Sequence, residues 1–198
     1  MRCHFAKTGI KNFLSINYEK SKKREKGIAI LFWWAALLPF FLQAIAIGFD
    51  EIYFHYKRGL PKWERIGHPL DTFSVLVALG FLVFFPFTPF SWKIYLGISL
   101  FSCVMVTKDE FIHKSHCPAS ENWLHALLFV LHPITLFAAG SIWYVHHTQN
   151  NSFFSSWLIE KEFLFLFLQG QLIVMTLFFL YQIIFWNIIW KEKPVIKY

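Results

Sequence analysis

The chain has 198 residues, of which 56% are hydrophobic and only 16% are charged, and its formal net charge is +7. Soluble domains are about 45–50% apolar and about a quarter charged, so this composition argues against an ordinary soluble domain. Eight of the 19 basic residues precede Gly27, which is typical of a flank that touches anionic lipid. We therefore expect membrane lipids, and no nucleic acid, as partners.

Five apolar runs are each long enough, or nearly so, to cross a bilayer as a helix of about 20 residues. Open strands would leave backbone groups unpaired in lipid, so the spans must be helices. We predict an all-α, polytopic integral membrane bundle with about five transmembrane helices. In chain order these cover about 27–55, 69–87, 91–116, 121–147 and 162–190.

The N-terminal residues 1–26 are predicted to form a basic arm, followed by a single transmembrane domain over 27–198. Basic residues divide almost evenly between the two membrane faces, so the positive-inside rule discriminates weakly. Because the first helix usually dominates orientation, we expect the N-terminus on the cytoplasmic side of a multi-pass protein.

The first two predicted helices place acidic and imidazole side chains at adjacent ends. Glu51 and His55 are four residues apart at the end of helix one, and His68 and Asp71 are three apart at the start of helix two. Residues at these spacings share a helix face. Each of the two helix ends therefore presents a carboxylate and an imidazole together.

The segment between helices one and two carries cations. Arg58, Lys62 and Arg65 are the candidates for holding an anionic substrate headgroup. The alternatives are that these side chains balance the nearby carboxylates or bind lipid nonspecifically.

Helices three and four repeat the pairing of acids with histidines. Asp109 and Glu110 precede His113 at the predicted end of helix three, and Glu121 precedes His125 at the start of helix four. His132 lies seven residues further into helix four, about 10 Å deeper. It is a candidate ligand, a group that supports the ligands, or a buried histidine.

Alternation of the spans places all four of these helix ends on one membrane face, whichever side is cytoplasmic. Imidazole and carboxylate groups together are typical ligands of transition metals, and ionisable groups at membrane depth usually have a function. We predict that four helices surround a metal site at this face. The candidate ligands are Glu51, His55, His68, Asp71, Asp109, Glu110, His113, Glu121, His125 and His132.

This ligand set resembles the di-iron and di-manganese sites of ferritin-like bundles. Those bundles combine Glu from two helices with a Glu-x-x-His pair from each of the other two, and Glu110-Phe111-Ile112-His113 matches such a pair. Glu51 and Glu121 have their histidines one position later, which departs from the pattern. The resemblance covers ligand types and a four-helix plan, and it implies two iron ions.

A second resemblance is to the histidine-box membrane desaturases and hydroxylases. His113-x-x-His116 and His146-His147 are similar to single boxes, but the full set at its usual spacing is missing. The chain is therefore not assigned to that family.

The preferred function is a metal-dependent membrane enzyme, a di-iron oxidoreductase acting on a lipid or other hydrophobic substrate. The sequence has no GxxxxGK[ST], GxGxxG or GxSxG motif, so an electron-donor protein would supply the reductant. The alternatives are a zinc-dependent hydrolase, a metal or proton transporter, and a structural subunit whose acid–histidine pairs are local salt bridges. Cys117, among polar residues, is a further candidate ligand or nucleophile.

Overall fold

The computed structural model describes residues 3–108, 117–148 and 158–190 of the chain. The described residues are helical apart from short connections, and they contain no strand. The main helices are α1 (Cys3–Phe49), α2 (Lys62–Phe84), α3 (Pro89–Thr107), α4 (Ala119–His147) and α5 (Leu158–Ile184). This confirms the predicted all-α class.

Within the described part of the chain, five helical segments are long and apolar enough to cross a membrane. Their bounds are Trp34–Arg58, Lys62–Phe84, Pro89–Thr107, Ala119–His147 and Lys161–Ile189. The number of spans agrees with the prediction. The first helix begins at Cys3, however, so the backbone of the basic arm continues directly into the first span.

The end of the first span changes its helical pitch. A π-helical segment, Asp50–His55, follows α1, and a short α-helical turn, Tyr56–Arg58, follows the π segment. Gly59 then has a φ of 77°, a left-handed conformation that glycine adopts without steric cost, and the chain turns towards α2. The connection between the first two spans is therefore much shorter than the sequence suggested.

The second helix starts seven residues before its predicted position. The apolar run in the sequence begins at Pro69, whereas Pro69 lies inside α2 and the helix starts at Lys62. Helices that cross membranes tolerate internal proline because neighbouring groups satisfy the freed carbonyls. Glu64 and His68 consequently lie four residues apart on one helix instead of in a loop.

The third and fourth helices are joined through a segment that is only partly described. The structure places the end of α3 at Thr107 and the start of α4 at Ala119. Asp109, Glu110 and His113 lie outside the described residues. The predicted extension of helix three to residue 116 is therefore not tested.

The helices pack around a core of aliphatic, aromatic and small side chains. Ala78 and Ala139 are fully buried, as expected where helices in a membrane approach closely. Gly140 allows such an approach, because a Cβ atom there would lie 2.8 Å from Cε1 of Tyr95 on α3. Helix α5 packs extensively against α2 and also contacts α4.

Candidate metal centre

A compact group of acids and histidines lies where the first span ends and α4 begins. Ligand atoms of Asp50, His55, Glu121 and His125 all lie within 4.8 Å of one another, and all four residues are buried. Asp50 Oδ2 is 3.2 Å from His55 Nε2 and 3.3 Å from His125 Nε2. One carboxylate oxygen therefore faces two imidazole nitrogens from two different helices.

The π-helical segment explains how Asp50 and His55 come together. Its hydrogen bonds join residues five apart, as in the bond from the Tyr56 amide to the Glu51 carbonyl. Residues five apart, such as Asp50 and His55, then lie near one face, whereas an α-helix aligns residues three or four apart. The α-helical spacings in the sequence do not pair Asp50 with His55, so Asp50 is not among the predicted ligands.

Glu51 holds the ring of His55 instead of joining the four-residue group. Its Oε2 is 3.0 Å from His55 Nδ1, and its Oε1 accepts hydrogen bonds from Tyr181 (2.9 Å) and from the indole of Trp186. A carboxylate on the second nitrogen fixes the tautomer of a ligating histidine and leaves Nε2 for the metal. Two of the three donors to Glu51 come from the end of the fifth span.

Arg58 lies inside the cluster, where it bridges two carboxylates. Its Nη2 donates to Glu64 Oε2 and to Glu121 Oε1, each at 2.8 Å, and all three side chains are buried. A cation that contacts two glutamates in this way is not exposed to a headgroup. The structure thus gives Arg58 a partner on α2 and another on α4, in place of the predicted substrate contact.

The other two predicted headgroup cations occupy the first turn of α2. Lys62 is exposed, and Arg65 donates from Nε to the Leu60 carbonyl at 2.7 Å. Both lie at the end of the bundle that carries the acid cluster. A contact with substrate remains a prediction for these two residues.

A second group, His55, Glu64 and His68, also has ligand atoms within 4.8 Å of one another. It shares His55 with the first group, and the rings of His55 and His68 lie 4.8 Å apart. Asp71 is not a member, because its Oδ1 forms an ion pair with Lys108 Nζ at 2.7 Å. Glu64 was missed as a candidate because the sequence placed it in a loop.

His132 is occupied in a polar chain away from both groups. Its Nε2 is 3.0 Å from Ser102 Oγ, and its Nδ1 is 3.3 Å from Gln43 Nε2. Both ring nitrogens therefore have partners. Of the roles considered for His132, this arrangement fits the buried, hydrogen-bonded histidine.

Three atoms of the four-residue group fit a bound cation. Asp50 Oδ1, His55 Nε2 and Glu121 Oε2 are shielded from solvent and have no hydrogen-bond partner among the described residues. His55 Nε2 lies close to Asp50 Oδ2, but the pair is not aligned as a hydrogen bond. Buried polar atoms normally have partners. Of these atoms, His55 Nε2 also lies 3.2 Å from Asp50 Oδ2 and 3.9 Å from Glu121 Oε1, so a metal ion between these residues would give it a partner.

The group opens on a cavity of about 120 Å³ inside the bundle. Asp50, Glu51, His55, His68 and His125 form its polar end. The remaining wall combines apolar side chains, including Ile47, Val75, Leu128, Phe129, Met175 and Phe178, with the polar side chains of Gln43, Asp71, Thr72, His132 and Gln182. A ligand in this cavity would have one end beside the acids and histidines and the rest against hydrocarbon.

Cys117 lies beside the same cluster. Burial raises the pKa of its thiol; Arg58 opposes the shift, and Glu121 and Glu64 add to it. A thiol held in its protonated form is a poor nucleophile and a poor metal ligand. Cys117 is therefore better explained as a neighbour of the buried charges than as a reactive group.

The sequence thus identified part of the described cluster. His55, Glu121 and His125 belong to the four-residue group, and His68 belongs to the second group. The adjacent pair His146 and His147, expected at the opposite face, lies at the other end of α4. There His146 is 3.7 Å from Glu162 and His147 contacts the Trp143 carbonyl.

No protein-family model matches the chain, and no curated protein or solved structure shows significant similarity to it.

Proposed function

We propose that this protein is a membrane-embedded, metal-dependent enzyme that acts on a lipid or another hydrophobic substrate. The ion would be bound by Asp50, His55, Glu121 and His125. The observation that carries the proposal is a group of four buried ligand residues beside a cavity, in which the converging His55 Nε2 has no hydrogen-bond partner among the described residues.

The charge of the cluster supports a bound cation. The carboxylates of Asp50, Glu51, Glu64 and Glu121 are all buried, and Arg58 is the buried guanidinium among them. Buried charges are costly unless they are paired or coordinate metals. Among the described residues one guanidinium does not balance these carboxylates, and a divalent ion would offset much of the excess negative charge. Protonated histidines are the competing explanation.

Iron is the proposed metal and oxidation the proposed chemistry. Two imidazoles and two carboxylates suit iron, and a bound iron ion would supply oxygen binding and activation. In a hydroxylation, one oxygen atom of O₂ enters the substrate, and the other leaves as water. An electron-donor protein provides the two electrons, and the solvent provides the two protons. The apolar wall would hold a C–H bond of the substrate beside the ligands.

The described residues support one ion in the four-residue group. A second ion bound by His55, Glu64 and His68 would need the same imidazole of His55 as a ligand, and the Nδ1 of that ring already contacts Glu51. Arg58 also occupies the position between Glu64 and Glu121 where a bridging ion would bind. The second iron ion implied by the sequence would need ligands from Asp109, Glu110 or His113. We therefore propose one ion at the described group.

A zinc-dependent hydrolase is the second candidate. The observation that favours it is the single complete ligand group, since one zinc ion suffices to activate water for attack on an ester or amide. This reaction needs no electron donor. Metal identity separates the two candidates.

Elemental analysis of the purified protein, extracted gently from native membranes, tests the proposal. We expect about one iron per chain. His125→Ala should lose most of the metal while remaining monodisperse, because it removes one ligand and leaves the apolar spans unchanged. His147→Ala is the matched control, since that ring lies at the other end of α4 and should leave the metal content unchanged.

Glu51→Gln provides a graded second test. Loss of a carboxylate that orients a ligating histidine typically weakens metal affinity about 10–100-fold. We expect that reduction in a competition titration against a chelator.

Each other outcome of the metal analysis has a definite meaning. Zinc alone would support the hydrolase. No transition metal in the wild type, or full metal in His125→Ala, would contradict the metal site and favour protonated histidines paired with the carboxylates. Two ions per chain would indicate that residues 109–116 complete a second site.

A further inference from the structure

The cavity beside the candidate metal centre continues deeper into the bundle. A smaller cavity of about 50 Å³ lies next to it, and Gln43, Ile47, Val75, His132 and Met175 line both. The smaller cavity is otherwise walled mainly by apolar side chains, among them Phe40, Leu79, Leu136 and Ala139. The two cavities therefore adjoin each other along these five shared side chains.

A chain of hydrogen bonds ends at two of these shared side chains, His132 and Gln43. Ser74 Oγ donates to the Asp71 carbonyl at 2.7 Å and is 2.8 Å from Ser102 Oγ. Ser102 Oγ is 3.0 Å from His132 Nε2, and His132 Nδ1 is 3.3 Å from Gln43 Nε2. The chain connects side chains of α1, α2, α3 and α4.

The proton positions in this chain follow from its fixed end. A carbonyl oxygen only accepts, so the single hydroxyl proton of Ser74 is directed at Asp71. Ser102 must then donate to Ser74, and His132 Nε2–H must donate to Ser102. A buried imidazole is neutral unless a charge compensates it. Its Nδ1 is therefore an acceptor, which receives a hydrogen bond from the Gln43 amide nitrogen.

This order leaves one acceptor of the chain unused. With the amide nitrogen of Gln43 directed at His132, its Oε1 is turned away from that ring. Among the described residues Oε1 has no hydrogen-bond partner, and it is shielded from bulk solvent. An unmet buried acceptor is unfavourable. A donor on a molecule bound in the cavity would satisfy it.

We propose that the two cavities bind a hydrocarbon chain that carries a hydroxyl group, and that this hydroxyl donates to Gln43 Oε1. Gln43 precedes Asp50 by seven residues, so the hydroxyl would lie about 10 Å from the ligand group along the helix axis. A hydroxyl is a compact donor, and the alkyl chain attached to it suits the mainly apolar wall of the inner cavity. His132 acts as a positioning residue that fixes the amide of Gln43. The proposal deepens the proposed function by naming its substrate class, but binding itself needs no metal.

Two isomeric probes test this inference. Decanol and methyl nonyl ether have the same atoms, but only the alcohol has a hydrogen-bond donor. The experiment measures how each competes with tritiated decanol for the purified full-length protein in detergent micelles. For the wild type we expect decanol to bind about tenfold more tightly than the ether, the effect of roughly one buried hydrogen bond.

Gln43→Leu should weaken decanol binding to the level of the ether, and its metal content should remain that of the wild type. Gln169→Leu is the matched control, because Gln169 lies on α5 and lines neither cavity. It should preserve the preference for the alcohol.

Several results would overturn the proposal. Equal affinity of the wild type for the two isomers would do so without any variant, as would no measurable binding of decanol. A preference for decanol that persists in Gln43→Leu would place the hydroxyl at the carboxylates instead. A wild type without metal that still prefers decanol would contradict the proposed function and leave this inference standing.

Discussion

Replacing Arg58 by methionine should strongly destabilise the protein, because the change removes a buried cation and leaves two buried carboxylates. Nη2 of Arg58 is 2.8 Å from Glu64 Oε2 and 2.8 Å from Glu121 Oε1. A pair of charges about 4 Å apart is worth about 4 kcal/mol at an effective dielectric constant near 20, and desolvation offsets much of this. Breaking such a pair on one side costs about 3–5 kcal/mol.

A loss of this size corresponds to a fall of about 10 °C in the melting temperature of a chain of this length. Tryptophan fluorescence during heating of the purified protein measures the effect. Lys57→Met is the matched control, because Lys57 is the cation next to Arg58 in the sequence and is exposed. Its Nζ lies 3.7 Å from the ring centre of Tyr53, a contact worth about 0.5–1 kcal/mol. The double variant Arg58→Met/Glu64→Gln should recover part of the loss. If Arg58→Met melted at the same temperature as Lys57→Met, the buried pairing would be refuted.

Two further predictions concern packing and the thiol beside the cluster. Gly140→Ala should lower the free energy of unfolding by about 1–2 kcal/mol, because its Cβ would lie 2.8 Å from Tyr95 Cε1. Gly80→Ala is the control, since a Cβ there meets no atom within 4 Å, and this variant should be neutral or stabilising. Equal melting temperatures of the two variants would contradict the close approach of α3 and α4. Cys117 should react slowly with iodoacetamide at about pH 8 in the folded protein, because burial raises the pKa of its thiol and only the thiolate reacts. Mass spectrometry of the alkylated chain checks this, and a rate equal to that of the denatured protein would show that the thiol is exposed.

The sequence by itself determined the helical class, the number of spans and the end of the bundle that carries the acids and histidines. Lipid imposes these features, because a spanning segment must be long, apolar and internally hydrogen-bonded. Once five spans are counted, alternation places the end of helix one on the same membrane face as the start of helix four. The pairing of Glu51 with His55 also followed from α-helical spacing, and the structure contains it at 3.0 Å.

Only the tertiary structure decided what each of these side chains contacts. The π-helical segment brings Asp50 onto the face of His55, and the helical conformation before Pro69 brings Glu64 to Arg58. A single sequence does not reveal such local departures, because the packing of neighbouring helices stabilises them rather than intrinsic propensity. The same packing buries Arg58 between two glutamates. From the sequence alone, a charged side chain in a short polar loop is predicted to be exposed. Its burial becomes evident only when the positions of the enclosing helices are known.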